Sequence, residues 1–327
     1  MSRGKIKLFA NRSGRQFAQK ISKELNQSLS PLETIDFADG ECKIVINGEG
    51  GSVRGCDTYV VQNCFDPTSD RNIYQNFFEL LQTGDALKRS GANKTTAIIP
   101  YHPFSRQDKI SGRESLTAKL VTNLIDTAEF DNIICSELHA PQIGGFYNKA
   151  LVDELPTMYI LLNYLKNNFK ENLEKLVVIA PDAGGSKRAE KYAKKLNSKP
   201  VDSFKIRSNN RANYVEKLEV NEDIRDYNVL VVDDMIDTAG SIEKLFETLR
   251  NKNINNSIIC CTHSLLNGSA LERITATNAN LITTDSIPRT EEFKKQNRWY
   301  HEVSLAPLYT EAIRRLNNDG SLKELYK

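Results

Sequence analysis

The residues best suited to chemistry lie at positions 229–241, which read VLVVDDMIDTAGS. An apolar run ends in Asp233 and Asp234, and Asp237 precedes four small or hydroxyl-bearing residues. Ligands of open α/β sheets bind beyond the carboxyl ends of strands, and a helix start offers N–H groups to a phosphate. Two acids beside such a cradle make sense if they accept hydrogen bonds from hydroxyl groups of the same ligand, or if they hold a cation. The run therefore predicts a sugar phosphate as ligand, with an ordinary capped turn as the alternative.

Three other apolar runs are also followed by residues that could bind phosphate or metal. Arg106 and Gln107 follow one run, His139 follows another, and Asp182 follows a third. An arginine fork binds phosphate oxygens, a neutral imidazole can bind a metal, and a carboxylate suits Mg²⁺. Taken one at a time, Arg106 and Gln107 can equally be surface residues and His139 a structural histidine, just as the segment FADGE at 37–41 can be a plain turn.

Lys205 and Arg207 stand two positions apart in the segment SFKIRS. On extended backbone such residues point to the same side of the strand. An exposed strand edge with protective charge is the alternative. Residues 187–217 carry ten Lys or Arg against three Asp or Glu, in a chain of net charge +2. This local excess suits a small polyanion better than a nucleic acid.

Length and composition indicate an ordinary globular protein. The chain has 327 residues, of which 39% are hydrophobic and 26% charged, so two domains are expected. No apolar stretch is long enough for a membrane span, and the first residues lack the apolar core of a signal peptide. The six cysteines form no CxxC and no zinc-like spacing, and they suggest buried thiols. We expect a cytoplasmic protein without a membrane partner.

Short apolar runs alternate with amphipathic runs along the whole chain. Predicted strands lie at 58–62, 96–100, 132–135, 176–180, 229–232 and 257–261, and predicted helices at 117–127, 158–169 and 242–249. A further helix places Phe77, Phe78 and Leu81 on one face and ends before Gly91. Strands that are apolar throughout are typical of parallel sheets covered on both faces, so the pattern predicts an α/β protein. The helix at 158–169 separates two groups of strands and places a domain boundary near residue 155.

Eight segments in this order resemble the ribose-phosphate diphosphokinases, also called PRPP synthetases. The segments are FADGE (37–41), SVRGCD (52–57), SRQDK (105–109), TAKLV (117–121), ELHAPQIGGF (137–146), PDAGG (181–185), DDMIDTAGS (233–241) and APLYTEAIRR (306–315). The resemblance implies two phosphoribosyltransferase-like domains, each a mostly parallel sheet flanked by helices. They would span 1–155, with the ATP side and a mobile loop, and 156–327, with the ribose 5-phosphate site. A final helix at about 305–327 would pack on the first domain.

The resemblance also implies a reaction, in which the β,γ-diphosphoryl group of MgATP passes to the 1-hydroxyl of ribose 5-phosphate and AMP is released. Such a transfer needs positioning and charge stabilisation more than a covalent nucleophile. Mg²⁺ would accompany ATP. The family assembles as dimers stacked into hexamers, so a homo-oligomer is expected.

Residue roles carried over from the family fall into four groups. The ATP-binding residues would be Phe37, Asp39, Glu41, Arg106, Gln107, Asp108 and His139. The metal ligands would be His139 and Asp182, and the catalytic pair Lys205 and Arg207. The ribose 5-phosphate site would comprise Asp233, Asp234, Asp237, Thr238, Ala239, Gly240 and Ser241. Asp233 and Asp234 would bind the 2- and 3-hydroxyls, and the last four residues the 5-phosphate.

Several positions depart from the family pattern. The loop DKISGRESLTAK after Gln107 is one residue shorter than usual, and Ser115 stands where proline is common. Glu137 replaces a common aspartate, Gly144 a common glutamine, and glycines at 48–51 suggest a small insertion. The shorter loop motivates one alternative, a non-catalytic regulatory homologue that binds nucleotide without turnover. A base phosphoribosyltransferase, which would share the DDMIDTAGS segment, is the other.

Overall fold

A computed structural model describes residues 4–46, 52–207 and 216–326, without the side chains of 205–217. The glycines at 48–51 lie outside the described residues. The chain forms two compact units. The first unit comprises Met1–Pro156, Ser286–Arg289 and Ser304–Lys327. The second unit comprises Thr157–Asp285 and Thr290–Val303.

The first unit is built on a five-stranded parallel sheet with the order β1-β4-β5-β6-β7. Its elements to residue 155 are β1 (Ile6–Ala10), α1 (Arg15–Leu25), β2 (Glu33–Asp36), β3 (Cys42–Val45), β4 (Asp57–Val61), α2 (Ile73–Arg89), β5 (Lys94–Ile99), α3 (Thr117–Thr127), β6 (Asn132–Ser136) and β7 (Leu151–Leu155). Strands β2 and β3 pair antiparallel as a separate hairpin. Helices on both faces bury the central strands, which explains why those strands are apolar at nearly every position.

Helix α2 differs in one respect from its predicted pattern. Asn72 caps its start with a capping box, and the apolar face includes Phe77 and Leu80. Phe78 is 58% exposed, so its expected position on the buried face is wrong. Glu79 is instead fully buried. A carboxylate therefore occupies the inner face of this helix, where the sequence pattern suggests an apolar residue.

The second unit contains a six-stranded parallel sheet with the order β15-β14-β13-β12-β8-β9. Its elements are α4 (Met158–Asn168), β8 (Leu176–Ile179), α5 (Ser186–Leu196), β9 (Lys199–Val201), β10 (Phe204–Arg207), β11 (Glu216–Glu219), β12 (Asn228–Ile236), α6 (Gly240–Leu249), β13 (Ser257–Ser264), α7 (Ala270–Thr277), β14 (Asn280–Thr284), α8 (Glu291–Gln296) and β15 (Tyr300–Val303). Strands β10 and β11 form an antiparallel pair outside the main sheet.

The last helix, α9 (Ala306–Asn317), belongs to the first unit. It packs against α1, where Phe17 and Tyr309 meet edge to face with ring centroids 5.2 Å apart. The Tyr59 hydroxyl donates to the carbonyl oxygen of Ile313 at 3.4 Å. The chain therefore returns to its first sheet after completing the second.

The structure confirms the predicted α/β class and the parallel sheets. The strand predicted at 229–232 is longer, because β12 continues through Asp233 and Asp234 to Ile236. Within the described part of the chain, no helix is long and apolar enough to span a bilayer.

Candidate active site

Two acidic side chains lie near the carboxyl end of β12, in the second unit. Asp234 is only 5% exposed, and its backbone N–H donates to Asp233 Oδ1 at 2.9 Å. Arg188 joins both residues, with its Nη1 3.3 Å from Asp233 Oδ1 and its Nη2 3.2 Å from Asp234 Oδ1. One guanidinium thus serves two neighbouring carboxylates.

The electrostatics of Asp233 and Asp234 explain why Arg188 lies beside them. Burial, reinforced by the adjacent carboxylate of Asp234, raises the pKa of Asp233 well above its usual value, and Arg188 opposes that rise. Arg188 is the third residue of α5, where the helix dipole disfavours a cation. A basic residue at such a position is the sequence signal that could have identified Arg188, which the motif comparison missed.

The loop after β12 has the backbone geometry of an anion cradle. Ala239 adopts the left-handed conformation, with φ of 57°, and directly precedes α6. Left-handed backbone is costly for alanine and persists only where the surrounding structure enforces it, as it does at many active sites. Alanine also supplies no side-chain cap, so the first N–H groups of α6 are available to an external acceptor. A phosphate is the ligand that suits this arrangement.

Two residues beyond the predicted site hold this loop. Asn267 donates through its side chain to Asp237 Oδ1 at 2.7 Å and through its backbone to Asp237 O at 2.9 Å. Arg273 Nη1 donates to Thr238 O at 2.8 Å. Its Nε pairs with Glu243 Oε2 at 2.8 Å. These contacts fix the two residues that precede Ala239, and neither Asn267 nor Arg273 follows from the motif itself.

Asp182 lies in a tight turn after β8. Its Oδ1 accepts from the Gly185 backbone N–H at 3.2 Å, within a short 3₁₀ segment, Ala183–Gly185. A Cβ at Gly185 would lie 2.7 Å from Ala180 Cβ, so only glycine fits there. Close packing of the turn thus accounts for this glycine without reference to a ligand.

The predicted catalytic pair lies on β10. Lys205 is paired with Leu218 and Arg207 with Glu216 in the antiparallel register with β11. The extended backbone that the sequence predicts is therefore present. The side chains of Lys205 and Arg207 lie outside the described residues, so the roles of both stay predictions.

In the first unit, the loop after β5 carries Arg106 and Gln107, which are exposed, and Asp108, which is buried. Phe104 has φ of 57°, and its ring packs 5.4 Å from that of Tyr74 on α2. A bulky residue in this conformation is rare and needs support from its surroundings. Its anchoring on α2 fixes the start of the loop.

A second contact links this loop to the segment that carries His139. Gln142 Nε2 donates to Asp108 Oδ2 at 2.5 Å. The backbone N–H of Leu138 donates to Glu154 Oε1 at 2.9 Å, which fixes the chain where β6 ends. His139 is exposed at this edge. The structure thus brings the segments of Asp108 and His139 together, and Gln142 is the link that the sequence did not reveal.

His102 is a buried residue of the same loop, close to its start. Because the Pro103 carbonyl can only accept, His102 Nδ1 carries the proton and donates to it at 3.0 Å. Nε2 then accepts from the Tyr147 hydroxyl at 2.8 Å. Burial lowers the pKa of His102 to about 4. The ring is therefore neutral at neutral pH.

This buried histidine should make stability depend on pH. Between about pH 6.5 and pH 4 the unfolded chain binds a proton at His102, whereas the folded chain keeps this histidine neutral. The free energy of unfolding is therefore at its full value above about pH 6.5 and falls as the pH is lowered toward 4. Urea unfolding at pH 7, 5 and 4 should show wild type losing about 3 kcal/mol more than His102→Gln. Equal losses in the two proteins would contradict this assignment.

Phe37, Asp39 and Glu41 lie in the tight loop between β2 and β3. The backbone closes through a hydrogen bond from Phe37 N to Glu41 O at 2.8 Å, and Gly40 takes the positive φ of 93° that the turn requires. Asp39 Oδ1 accepts from Glu41 N at 3.0 Å. Phe37 is 49% exposed at the tip. An exposed aromatic ring beside carboxylates is suited to stacking on a purine.

Within each unit the structure brings some of the predicted residues together, and in the first unit these are the segments of Asp108 and His139. The second unit brings together Asp233, Asp234 and the loop from Asp237 to Ser241. Among residues 4–46, 52–207 and 216–326, no group of three or more His, Cys, Asp or Glu side chains is placed to hold a metal ion.

Comparisons with known proteins agree along the whole chain. A family model described as the N-terminal domain of ribose phosphate pyrophosphokinase matches residues 6–128, and a phosphoribosyl transferase domain model matches residues 154–295. A ribose-phosphate pyrophosphokinase of Campylobacter jejuni is 38% identical over 322 residues, which cover 98% of each chain. Its namesake in Bacillus subtilis is 36% identical over 323 residues, which cover 98% of this chain and 97% of that one.

A solved structure leads to the same family. The crystal structure of phosphoribosylpyrophosphate synthetase from Mycobacterium smegmatis matches with a TM-score of 0.86 at 33% identity, and the match covers 97% of this chain and 100% of that one. Sequence identity above 30% over nearly the full length of these relatives confirms the resemblance stated from the motifs. The chain belongs to the ribose-phosphate pyrophosphokinase family.

Proposed function

We propose that this chain transfers the β,γ-diphosphoryl group of ATP to the 1-hydroxyl of ribose 5-phosphate, giving 5-phosphoribosyl 1-diphosphate and AMP. The observation that carries the proposal is the end of β12. There, Asp233 and Asp234 offer acceptors for hydroxyl groups directly before a loop with the geometry of a phosphate cradle. Family membership over the full length of the chain supports the same reading.

The sugar phosphate would be held from both ends. Asp233 and Asp234 would accept hydrogen bonds from the 2- and 3-hydroxyls, and Asp237 would lie near the anomeric centre. The 5-phosphate would be bound by the backbone N–H groups and hydroxyls of Thr238, Ala239, Gly240 and Ser241. Arg188 supports this role, because it offsets the repulsion between the two acids when no ligand is present.

ATP would be bound by two loops of the first unit. The tip formed by Phe37, Asp39 and Glu41 would meet the adenine, with the ring stacking and the carboxylates accepting from the amino group. Arg106 would hold phosphate oxygens, Gln107 the ribose or base, and Asp108 would support them through Gln142. His139 would contribute from the neighbouring segment. The proposal is supported by the exposure of these side chains other than Asp108, which is buried and bonded to Gln142.

In the transfer step, the sugar 1-hydroxyl oxygen attacks the β-phosphorus of ATP. The bond from that phosphorus to the α,β-bridging oxygen breaks, AMP leaves with the electron pair, and the hydroxyl proton passes to solvent. Lys205 and Arg207 would stabilise the charge that develops on the transferred group and on the bridging oxygen. Their positions two apart on the extended strand β10 support a shared role.

His139 in the first unit and Asp182 in the second are each proposed as a ligand of Mg²⁺ that accompanies ATP. The ion would supply charge neutralisation at the phosphate oxygens. Asp182 provides a hard oxygen ligand, and its Oδ1 is oriented by Gly185 N. His139 provides an imidazole nitrogen at an exposed position.

The domain roles and the assembly are proposed from the family resemblance. Residues 1–155 would form the ATP-side domain and residues 156–327 the sugar-phosphate domain. Dimers would assemble into a hexamer, with the active site shared between subunits. Six free cysteines suit the reducing cytoplasm, where we place the protein. Analytical ultracentrifugation tests the assembly.

Formation of AMP from ATP at saturating Mg²⁺, with and without ribose 5-phosphate, tests the proposed activity. We expect AMP to form only when the sugar phosphate is present. The shorter loop after Gln107 favours the alternative of a regulatory homologue, which would bind ATP without forming AMP. The proposal would be overturned if AMP formed equally with and without ribose 5-phosphate, or if no AMP formed under either condition. A base phosphoribosyltransferase would instead release diphosphate from 5-phosphoribosyl 1-diphosphate when a purine or pyrimidine base is added.

A further inference from the structure

A buried carboxylate on α2 lies beneath the hairpin of β2 and β3. Glu79 has no exposed surface. Its Oε1 accepts from Thr34 Oγ1 at 3.1 Å, from Arg12 Nε at 3.3 Å and from Arg12 N at 3.4 Å. Thr34 belongs to β2, so this one oxygen connects the helix to the hairpin and to the segment after β1.

Arg12 continues the connection to the end of β2. Its Nη1 donates to Asp36 Oδ2 at 2.6 Å, and its Nη2 donates to Asp36 Oδ1 at 3.0 Å. The hydrogen bond from Arg12 lowers the pKa of Asp36 below its ordinary value. Asp36 is followed directly by Phe37. The paired ions are thus one residue from the loop proposed to meet adenine.

Arg71 completes a network of two acids and two arginines. Its Nε lies 3.8 Å from Glu79 Oε2, and its Nη1 lies 3.7 Å from Asp36 Oδ1. A buried carboxylate is tolerated only when charges or hydrogen bonds compensate for its lost hydration. Glu79 therefore needs both arginines, and both arginines also hold Asp36.

The second strand of the hairpin is held by the same helix face. Gln82 lies three residues after Glu79 on α2, and its Nε2 donates to Cys42 O at 2.8 Å. The Cys42 thiol in turn donates to Gln82 Oε1 at 3.1 Å. The two strand ends that flank the loop, at Asp36 and Cys42, are thus both fixed to α2 or to its ion pairs.

We propose that Glu79, Arg12 and Arg71 are positioning residues that hold Asp36, and with it the Phe37 loop, in the conformation that recognises the base of ATP. This inference rests on the proposed function, because it assigns the loop a nucleotide base. The hairpin is a separate two-stranded unit, and such a pair is only marginally stable by itself. Without the network, the loop would sample other conformations and bind ATP with lower apparent affinity.

Two variants test the network without changing side-chain size. Glu79→Gln removes the buried charge, and Asp36→Asn removes the charge at the end of β2 and replaces one of the two oxygens that accept from Arg12 by an NH2 group. We expect the KM for ATP to rise about tenfold for Glu79→Gln and about threefold for the more exposed Asp36→Asn. The KM for ribose 5-phosphate should stay within about twofold of wild type. The matched control is Asp85→Asn, which breaks an exposed ion pair with Arg89 on the same helix.

A comparison of ATP with GTP separates positioning of the loop from general loss of structure. A damaged fold lowers kcat/KM for both nucleotides in proportion. If instead only the Phe37 loop is less ordered, kcat/KM falls mainly for ATP. The ATP-to-GTP ratio of kcat/KM should then fall by at least about threefold in both variants. Thermal melting of each protein, read by circular dichroism, accompanies the kinetics.

The outcomes separate this inference from the proposed function. If wild type and Asp85→Asn form AMP in a sugar-dependent way but Glu79→Gln and Asp36→Asn keep the wild-type KM and nucleotide ratio, the network has no positioning role. The same conclusion follows if the KM values for ATP and for ribose 5-phosphate rise equally. If wild type itself forms no sugar-dependent AMP, the proposed function fails first.

Discussion

Replacing Lys205 by alanine should lower kcat by about 10²–10³-fold while the Kd of ATP changes by less than about twofold. The reason is that Lys205 would interact with negative charge that develops on the transferred group only during the reaction. Such a cation stabilises the transition state and not the bound substrate. Loss of a single donor of this kind typically costs about 3–4 kcal/mol of activation free energy. Steady-state kinetics combined with equilibrium binding of ATP measures both quantities.

The matched control is Lys194→Ala, which removes an exposed lysine from α5 in the same unit. Its kcat should stay within about twofold of wild type, because a solvated surface charge contributes little. If Lys205→Ala weakened ATP binding and left kcat intact, Lys205 would be a ground-state ligand and not a catalytic residue.

Replacing Asp234 by alanine should raise the KM for ribose 5-phosphate by about 10–100-fold with little change in the KM for ATP. A charge-assisted hydrogen bond to a sugar hydroxyl is worth about 1.5–3 kcal/mol, and its loss affects only the substrate that carries the hydroxyl. Asp234 is also an ion-pair partner of Arg188, at 3.2 Å. Its loss leaves that guanidinium with Asp233 as the remaining partner on β12.

Glu247→Gln serves as the control for this prediction. Glu247 is an exposed acid on α6, the helix that begins at the proposed phosphate cradle. Its removal changes the net charge of the unit by the same amount but leaves the end of β12 intact. A rise in KM that is equal in the two variants would indicate a long-range charge effect and would contradict a direct contact from Asp234.

The α/β class is predictable from the sequence because central parallel strands are buried on both faces. Runs such as 176–180 and 258–261 are apolar for that reason, and the structure has strands at both. The length of β12 is harder to predict, since Asp233 and Asp234 look like loop residues. They remain in the strand because parallel pairing with β13 continues past Asp233 to Met235 and Ile236.

The features that sequence reasoning missed depend on contacts between distant residues. Glu79 on an amphipathic helix looks like a solvated charge, and only its partners Arg12 and Arg71 show why it is buried. Arg188 is a similar case, since its partners on β12 lie 45 residues away. Periodicity reports which face of an element is apolar, but it does not report which charges compensate each other.

The most direct test of the central claim is to identify both products by ³¹P NMR after incubation with ATP, Mg²⁺ and ribose 5-phosphate. We expect AMP and a sugar that carries a diphosphate at C1 beside its 5-phosphate, in equal amounts. Formation of ADP with a singly phosphorylated C1, or of AMP with free inorganic diphosphate, would contradict transfer of an intact diphosphoryl group.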